Sequence, residues 1–343
     1  MKLLNYLAFS IILITLSSCD KILLEPETEN NPVAVFDNLW NNFDKYYGGF
    51  IVKNIDWDAL YDTYRPLVNE QSSDEELYNA LTGLLDNLND NHVILWPTNP
   101  NLESYTSGVL GKLKTFSDYK ESTVNSNYLI SDKSLSKTLS YGKLSNNLGY
   151  IHFTDFNEGT KFYKKSLEEI IGSFENTDGI IIDIRNNEGG TDLEAVYVAG
   201  HFTSEEKLAF TFQLRDGPNH DDFNAPTSYY VKPEGKKRFT KNVVVLTHRF
   251  TISAAETFTL AMDRLDNVTI VGDTTSGAFS DVIRRDLPNG WVYGISVGDW
   301  RDFEGKSYEG TGFPPDILIE NDSTDVINGI DKALEKAIDI LKK

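Results

Sequence analysis

The chain has 343 residues, 40% of them hydrophobic and 12% aromatic, a length beyond most single cores and a composition that excludes general disorder. Acidic residues number 52 against 32 basic ones, for a formal charge of −20. A field of that sign repels phosphate backbones, so nucleic acid is not expected as a partner.

Met1-Lys2 opens the chain with positive charge, and residues 3–16 form an apolar run too short for a comfortable membrane span. Leu16-Ser17-Ser18-Cys19 follows, and Cys19 is the only cysteine, so no internal disulfide can form. Small residues before a cysteine, directly after an apolar run, resemble the lipobox of bacterial lipoproteins. That resemblance implies a signal peptide over 1–19 and lipidation at Cys19. It also implies a lipid-anchored place in the bacterial cell envelope, at the outer membrane, facing the periplasm or the surface. The plainer alternative is a signal peptide with an incidental cysteine. Residues 20–31 (DKILLEPETENN) read as a polar tether.

Asn31-Pro32 is a helix start, a cap followed by proline at the first helical position. Phe36, Leu39, Trp40, Phe43 and Tyr47 then repeat at helical spacing until Gly48-Gly49. Asp56 caps a second helix with Trp57, Leu60, Tyr61 and Tyr64 on its stripe. Ser73 and Glu76 form a capping box for a third, with Leu77, Leu81, Leu84, Leu85 and Leu88. Residues 32–92 are thus expected to be a small helical bundle. Residues 93–148 mix weak alternation with Pro97 and Pro100 and predict short strands and loops.

From 149 the pattern changes. GYIHFTDF reads as a strand and KKSLEEIIGSF as an amphipathic helix. GIIIDI (179–184) and NVVVLTHRF (242–250) are continuous apolar runs of the kind central parallel strands show. Helical DLEAVYVAGHF and SAAETFTLAMDRL follow them, then the strand VTIVGD. Alternation of strand and helix predicts an α/β fold with a mostly parallel sheet over 149–343. A final helix is expected over 325–341, with Val326, Ile330, Leu334, Ile338 and Leu341 on one face.

Two places carry chemistry. Ser253 sits where a buried strand turns into a helix, and free N–H groups and a positive dipole end there favour an alkoxide and an oxyanion. The same Ser253-Ala-Ala-Glu256 also reads as a capping box. In Ile182-Asp183-Ile184-Arg185-Asn186-Asn187-Glu188-Gly189-Gly190 a strand ends in a polar run and two glycines. Glycines let backbone donors approach a ligand, as an oxyanion hole requires; a glycine-rich turn without a ligand is the alternative.

LLDNLNDNH (84–92), GYIHFTDF (149–156), DGIIIDIRNNEGG (178–190), VVVLTHRFTISAAETF (243–258) and the pair VGDTTSG (271–277) with YEGTGFPPDI (308–317) together resemble the tail-specific, or C-terminal-processing, protease family. They also resemble its relatives, the tricorn core proteases and the interphotoreceptor retinoid-binding protein modules. The resemblance implies a Clp-protease/crotonase-like α/β core with a small N-terminal helical domain. It implies Ser253 as nucleophile and the backbone N–H of Ala254 with that of Gly189 or Gly190 as the oxyanion hole. Many family members use a lysine in a T-x-G-K segment as base. Here that position is Ala278, and no lysine occurs between Ser253 and Lys306. The tricorn-like branch uses a histidine of a D-x-H segment and a late acidic residue, which fall on His92 and Glu309, with Asn91 beside the histidine. Imidazole takes a serine proton near neutral pH and a carboxylate fixes its tautomer. His152, His201, His220 and His248 are rivals for the base, and Glu309 has the alternative of a solvated loop charge.

The expectation is a serine endopeptidase acting on envelope or extracellular proteins and peptides by a Ser-His-Glu mechanism, with no cofactor or metal site. A binding lipoprotein on the same fold, for an apolar ligand or a peptide, is the alternative, and a non-peptide acyl hydrolase a weaker third. Residues 93–148 are too short for the PDZ domain that many family members carry.

Overall fold

The computed structural model describes residues 29–112 and 118–342. Cys19, the signal peptide and residues 20–28 of the tether lie outside the described residues. Fourteen strands follow one another along them: β1 (Ile94–Trp96), β2 (Tyr105–Thr106), β3 (Leu129–Ser134), β4 (Leu139–Leu144), β5 (Leu148–Phe153), β6 (Gly179–Asp183), β7 (Lys207–Leu214), β8 (Thr227–Val231), β9 (Val243–Thr247), β10 (Val268–Gly272), β11 (Val282–Asp286), β12 (Val292–Ser296), β13 (Gly298–Asp302) and β14 (Ile317–Leu318).

Seven strands make the central sheet, in the order β14-β10-β9-β6-β5-β4-β3. From β14 to β5 neighbours run parallel; β4 and β3 extend the sheet antiparallel. The apolar runs of β6 and β9 are buried at every residue because both faces are covered. Ile180, Ile182, Val243 and Val245 pack with Leu167, Ile170, Ala255 and Phe258 of the flanking helices. Ile181, Val244 and Leu246 face the other way, onto Leu334, Ala337 and Ile338 of the helix Lys332–Leu341. The alternation of neighbours between two cores is the period of two that a strand imposes.

The helix expected over 325–341 is two helices, Ser323–Ile327 and Lys332–Leu341. Gly329 at φ 73° breaks the chain between them, and Asp331 caps the second by accepting from Leu334 N–H. The apolar stripe ran through the break because i, i+4 spacing cannot register a turn. The described residues within 93–148 form short strands, as expected, and also the helix Glu121–Asn127; β3 and β4 join β5 in a meander on the edge of the core sheet.

The caps at Asn31, Asp56 and Ser73 form as expected, and the helices Pro32–Tyr46, Trp57–Tyr64 and Asp74–Asp86 bury their stripes together. Their core is closed by Leu287, Trp291, Tyr293 and Ile295, at and around β12. Those strands belong to a second sheet, β11-β12-β1-β2, so a hairpin from late in the chain completes the N-terminal core. Phe43 and Tyr293 stack across it at 5.9 Å. A third sheet, β13-β7-β8, lies beside the strand–helix turn that ends at Ser253. Among the described residues no helix is long and apolar enough to cross a membrane.

Candidate active site

Ser253 stands at φ 61° and ψ −126° at the head of the helix Ala254–Asp263. A non-glycine residue in such a region is strained by on the order of 1–3 kcal/mol, and its surroundings must hold it there. Three bonds do so. Ile252 N–H donates to Asn187 O at 3.1 Å, Thr251 Oγ1 donates to Ile184 O at 2.9 Å, and Ser253 N–H donates to Glu256 Oε2 at 3.0 Å. The first two join the turn before the serine to the glycine-rich turn after β6. That turn is itself fixed from below. The buried Arg185 guanidinium spans Asp183 and Asp331, and Tyr150 donates to Asp183, so a buried cation and its carboxylates are mutually satisfied.

Two of the three candidate oxyanion donors are free. Gly189 gives its N–H to Asn187 Oδ1 at 2.9 Å. Its contribution is space: at φ 92° a Cβ there would stand 2.7 Å from Ser253 Cβ. The N–H groups of Gly190 and Ala254 have no partner among the described residues. Gly190 and Ser253 both line a cavity of about 200 Å3.

His92 follows the third helix. Its N–H donates to Asp90 Oδ1 at 2.8 Å, while Nδ1 is buried with no hydrogen-bond partner. Among the described residues no hydrogen bond joins its imidazole to Ser253 or Glu309. The four other histidines have ring nitrogens engaged elsewhere: His152 on Asn186, His201 on Tyr197 O, His220 on Asp44 and His248 on Asp118. His248 also accepts from Phe250 N–H within its own turn.

One segment touches all three candidate residues or their immediate supports. Asn91, next to His92, donates from Nδ2 to Ser276 Oγ at 2.7 Å and Ser276 O at 3.1 Å. Gly277 and Ala278 N–H donate to Glu256 at 2.7 and 2.8 Å, and Thr275 Oγ1 does so at 2.6 Å, on the carboxylate that holds Ser253. Phe279 N–H donates to Glu309 Oε2 at 2.7 Å. Residues 275–279 are thus a hub between two cores, and Ser276 N–H closes it by donating to Thr251 O. Asn91, whose role the sequence left open, is the pin between the His92 turn and the hub.

The electrostatics centre on a residue that sequence reasoning missed. Lys53 Nζ lies 2.8 Å from Glu309 Oε1 and 3.6 Å from Asp90 Oδ2, and donates to the carbonyls of Leu88 and Asn89. Burial lowers its pKa, but Asp90 and Glu309 outweigh that and hold it above the ordinary lysine value, so Lys53 is a fixed cation and not a base. Burial pushes the Glu309 carboxyl up to about 7; Lys53 pulls it back and Asp90 pushes it further. Burial lowers the His92 pKa, with Asp90 opposing and Lys53 adding. Tyr47 donates to Asp90 Oδ2 at 3.0 Å. With both carboxylates ionised, this buried group carries one uncompensated negative charge, which an imidazolium would balance. No local sequence signal marks Lys53, because its partners arrive only through tertiary packing. Glu256 is buried as well, and burial pushes its carboxyl up to about 7 against four hydrogen bonds that pull it down. Among the described residues no group of His, Cys, Asp and Glu could hold a metal ion.

The family model for peptidase family S41 matches residues 147–319, and that for the tricorn protease C1 domain matches 29–86. The carboxy-terminal processing protease CtpA of Bacillus subtilis (strain 168) is 28% identical over 177 residues, 51% of this chain and 35% of that protein. The carboxyl-terminal-processing protease of Synechocystis sp. is 24% identical over 222 residues, 62% of this chain and 48% of that protein. The chain therefore spans between a third and a half of the length of these curated relatives. Among solved structures, a candidate peptidase from Parabacteroides merdae ATCC 43184 superposes with a TM-score of 0.80 at 28% identity, over 91% of this chain and 97% of that one. The tricorn protease superposes with a TM-score of 0.54 at 15% identity, over 91% of this chain and 36% of that one, a likeness of fold.

Proposed function

The chain belongs to peptidase family S41, and on that premise we propose that it is a serine peptidase of the cell envelope, working through Ser253, His92 and Glu309. Ser253 Oγ attacks the scissile carbonyl and His92 takes its proton. The resulting imidazolium is stabilised by the excess negative charge of Glu309 and Asp90. The oxyanion is received by the N–H groups of Gly190 and Ala254, which have no hydrogen-bond partner among the described residues. His92 then returns the proton to the leaving amine, and water hydrolyses the acyl-enzyme by the same steps in reverse roles.

The observation that carries this reading is the hub at 275–279, hydrogen-bonded to Glu309, to the neighbour of His92 and to the carboxylate that fixes Ser253. Ala278 supports a histidine base in a second way: its N–H is bonded to Glu256 and its side chain has no amine to offer. The substrates proposed are envelope or extracellular proteins and peptides, reached from a lipid anchor at Cys19.

A fluorophosphonate probe and a pool of peptides test the reading together. The wild type should label and cleave. Ser253→Ala should lose labelling and the bulk of turnover, several orders of magnitude if the members of the unit fail together. A well-folded wild type that neither labels nor cleaves any peptide or ester would mean a binding protein on a protease fold.

A further inference from the structure

The cavity beside Ser253 has a chemical character that the reaction itself does not require. Its walls are aromatic: Phe212 stacks on Trp300 at 5.0 Å and tilts against Tyr229 at 5.7 Å, and all three face the same space. Two carboxylates share it, those of Asp192 and Asp281. Asp192 is fixed, accepting from Thr257 Oγ1 at 2.8 Å and from Trp300 Nε1 at 3.1 Å. Asp281 uses its backbone carbonyl to accept from Val297 N–H and Ser280 Oγ. Its carboxylate makes no hydrogen bond or ion pair among the described residues. No lysine or arginine among them acts on either group, and the charge of Asp281 adds to the effect of burial in raising the Asp192 pKa. An anionic pocket has thus been built next to the nucleophile without a cation of its own.

Each class of substrate side chain meets this pocket differently. An acidic one is repelled by both carboxylates. A small aliphatic one leaves the aromatic walls wet. A neutral aromatic one packs on the walls but desolvates Asp281 without a partner, which is costly. A long basic side chain lays its methylenes along Phe212, Tyr229 and Trp300 and brings a cation over ring faces and beside the free carboxylate. We propose that this cavity receives the substrate side chain on the N-terminal side of the scissile bond, and that it selects lysine or arginine, with Asp281 meeting the cation. This rests on Ser253 being the nucleophile. The overall charge of −20 draws basic peptides towards the protein over a longer range.

Binding separates the proposal from catalysis. Peptides identical except for lysine, norleucine or glutamate at that residue are titrated calorimetrically into full-length Ser253→Ala. Norleucine keeps the methylenes of lysine and removes its charge. The lysine peptide should bind at least about 10-fold tighter than norleucine, and glutamate weakest, as expected for a cation beside an unpaired carboxylate. Asp281→Asn should abolish the lysine advantage, and Asp281→Lys should reverse the order of lysine and glutamate. Norleucine binding as tightly as lysine, or a lysine advantage that survives Asp281→Asn, would overturn the pocket assignment. Fluorophosphonate labelling of the wild type reads the nucleophile independently, so failure of the pocket and failure of the serine mechanism give different results.

Discussion

At the scale of single residues, the proposed site joins groups whose pKa values burial has moved in opposite directions. His92 is pushed below the ordinary histidine value, so its imidazole is neutral and able to accept a proton at neutral pH. Glu309 is pushed up to about 7, so it is ionised only above that pH. In the proposed mechanism, a carboxylate that must be charged to stabilise the imidazolium would then set the acid limb of activity. We predict that kcat/KM rises with pH through about 7, higher than the histidine alone would give. Glu309→Gln should lower the plateau by less than the ~10²–10⁴ that general-base catalysis contributes. It should also move the acid limb down, below pH 6.5, where the depressed His92 value takes over. A pH–rate profile on both proteins checks this; an unmoved limb would mean that Glu309 does not govern the charge state of the base. Of these residues, Ser253 was visible in the sequence because a strand–helix junction is a local pattern. His92 and Glu309 were visible only through motifs. Lys53 was not visible at all, since nothing within its own helix Phe50–Lys53 distinguishes it from a surface lysine. The division of labour between Gly189 and Gly190 depends on which N–H the Asn187 side chain takes, a detail of three-dimensional geometry.

At the scale of elements, legibility followed periodicity. The helices Pro32–Tyr46, Trp57–Tyr64 and Asp74–Asp86 could be read because stripe and cap agree in each. The buried strands β6 and β9 could be read because continuous β-branched runs have few other uses. β7, β8 and β13 went unassigned. β8 is exposed along most of its length, and β13 alternates Gly, Asp, Trp, Arg and Asp, so neither has an apolar pattern to find. Yet these strands carry Phe212, Tyr229 and Trp300 into the pocket. The β4–β5 hairpin was obscured for another reason. Its turn, Asn146-Asn147, adopts positive φ at both residues, but the pair is Asn-Asn and not the Asn-Gly that marks such a turn most strongly. The same limit explains the single helix expected over 325–341: Val326 and Ile330 fall on the stripe although Gly329 turns the chain between them.

For the whole molecule, the sequence suggested a helical domain followed by a separate core, and the packing joins them. The hairpin of β11 and β12 completes the N-terminal core, Lys53 reaches Glu309, and Asn91 reaches Ser276. The site assembles only when both parts are docked, which is why its wiring could not be read from either part alone. The anchor belongs to this scale too. On the proposed lipidation, a thioether-linked diacylglycerol with a further acyl chain at Cys19 would supply the two or more hydrophobic signals that stable membrane attachment needs. We predict that the mature protein partitions into the detergent phase of Triton X-114 and that Cys19→Ala moves it to the aqueous phase or leaves it as the uncleaved precursor. Unchanged detergent partitioning of a processed Cys19→Ala protein would contradict lipidation at that residue.

The central claim is that His92, and no lysine, activates Ser253. The rate at which a fluorophosphonate modifies Ser253 reads that activation without depending on any substrate. In His92→Ala that rate should fall by about 10²–10⁴, the contribution of a general base, while His248→Ala should remain near the wild-type rate because its imidazole serves Asp118. Wild-type labelling by His92→Ala, with the loss appearing in His248→Ala, would contradict the account.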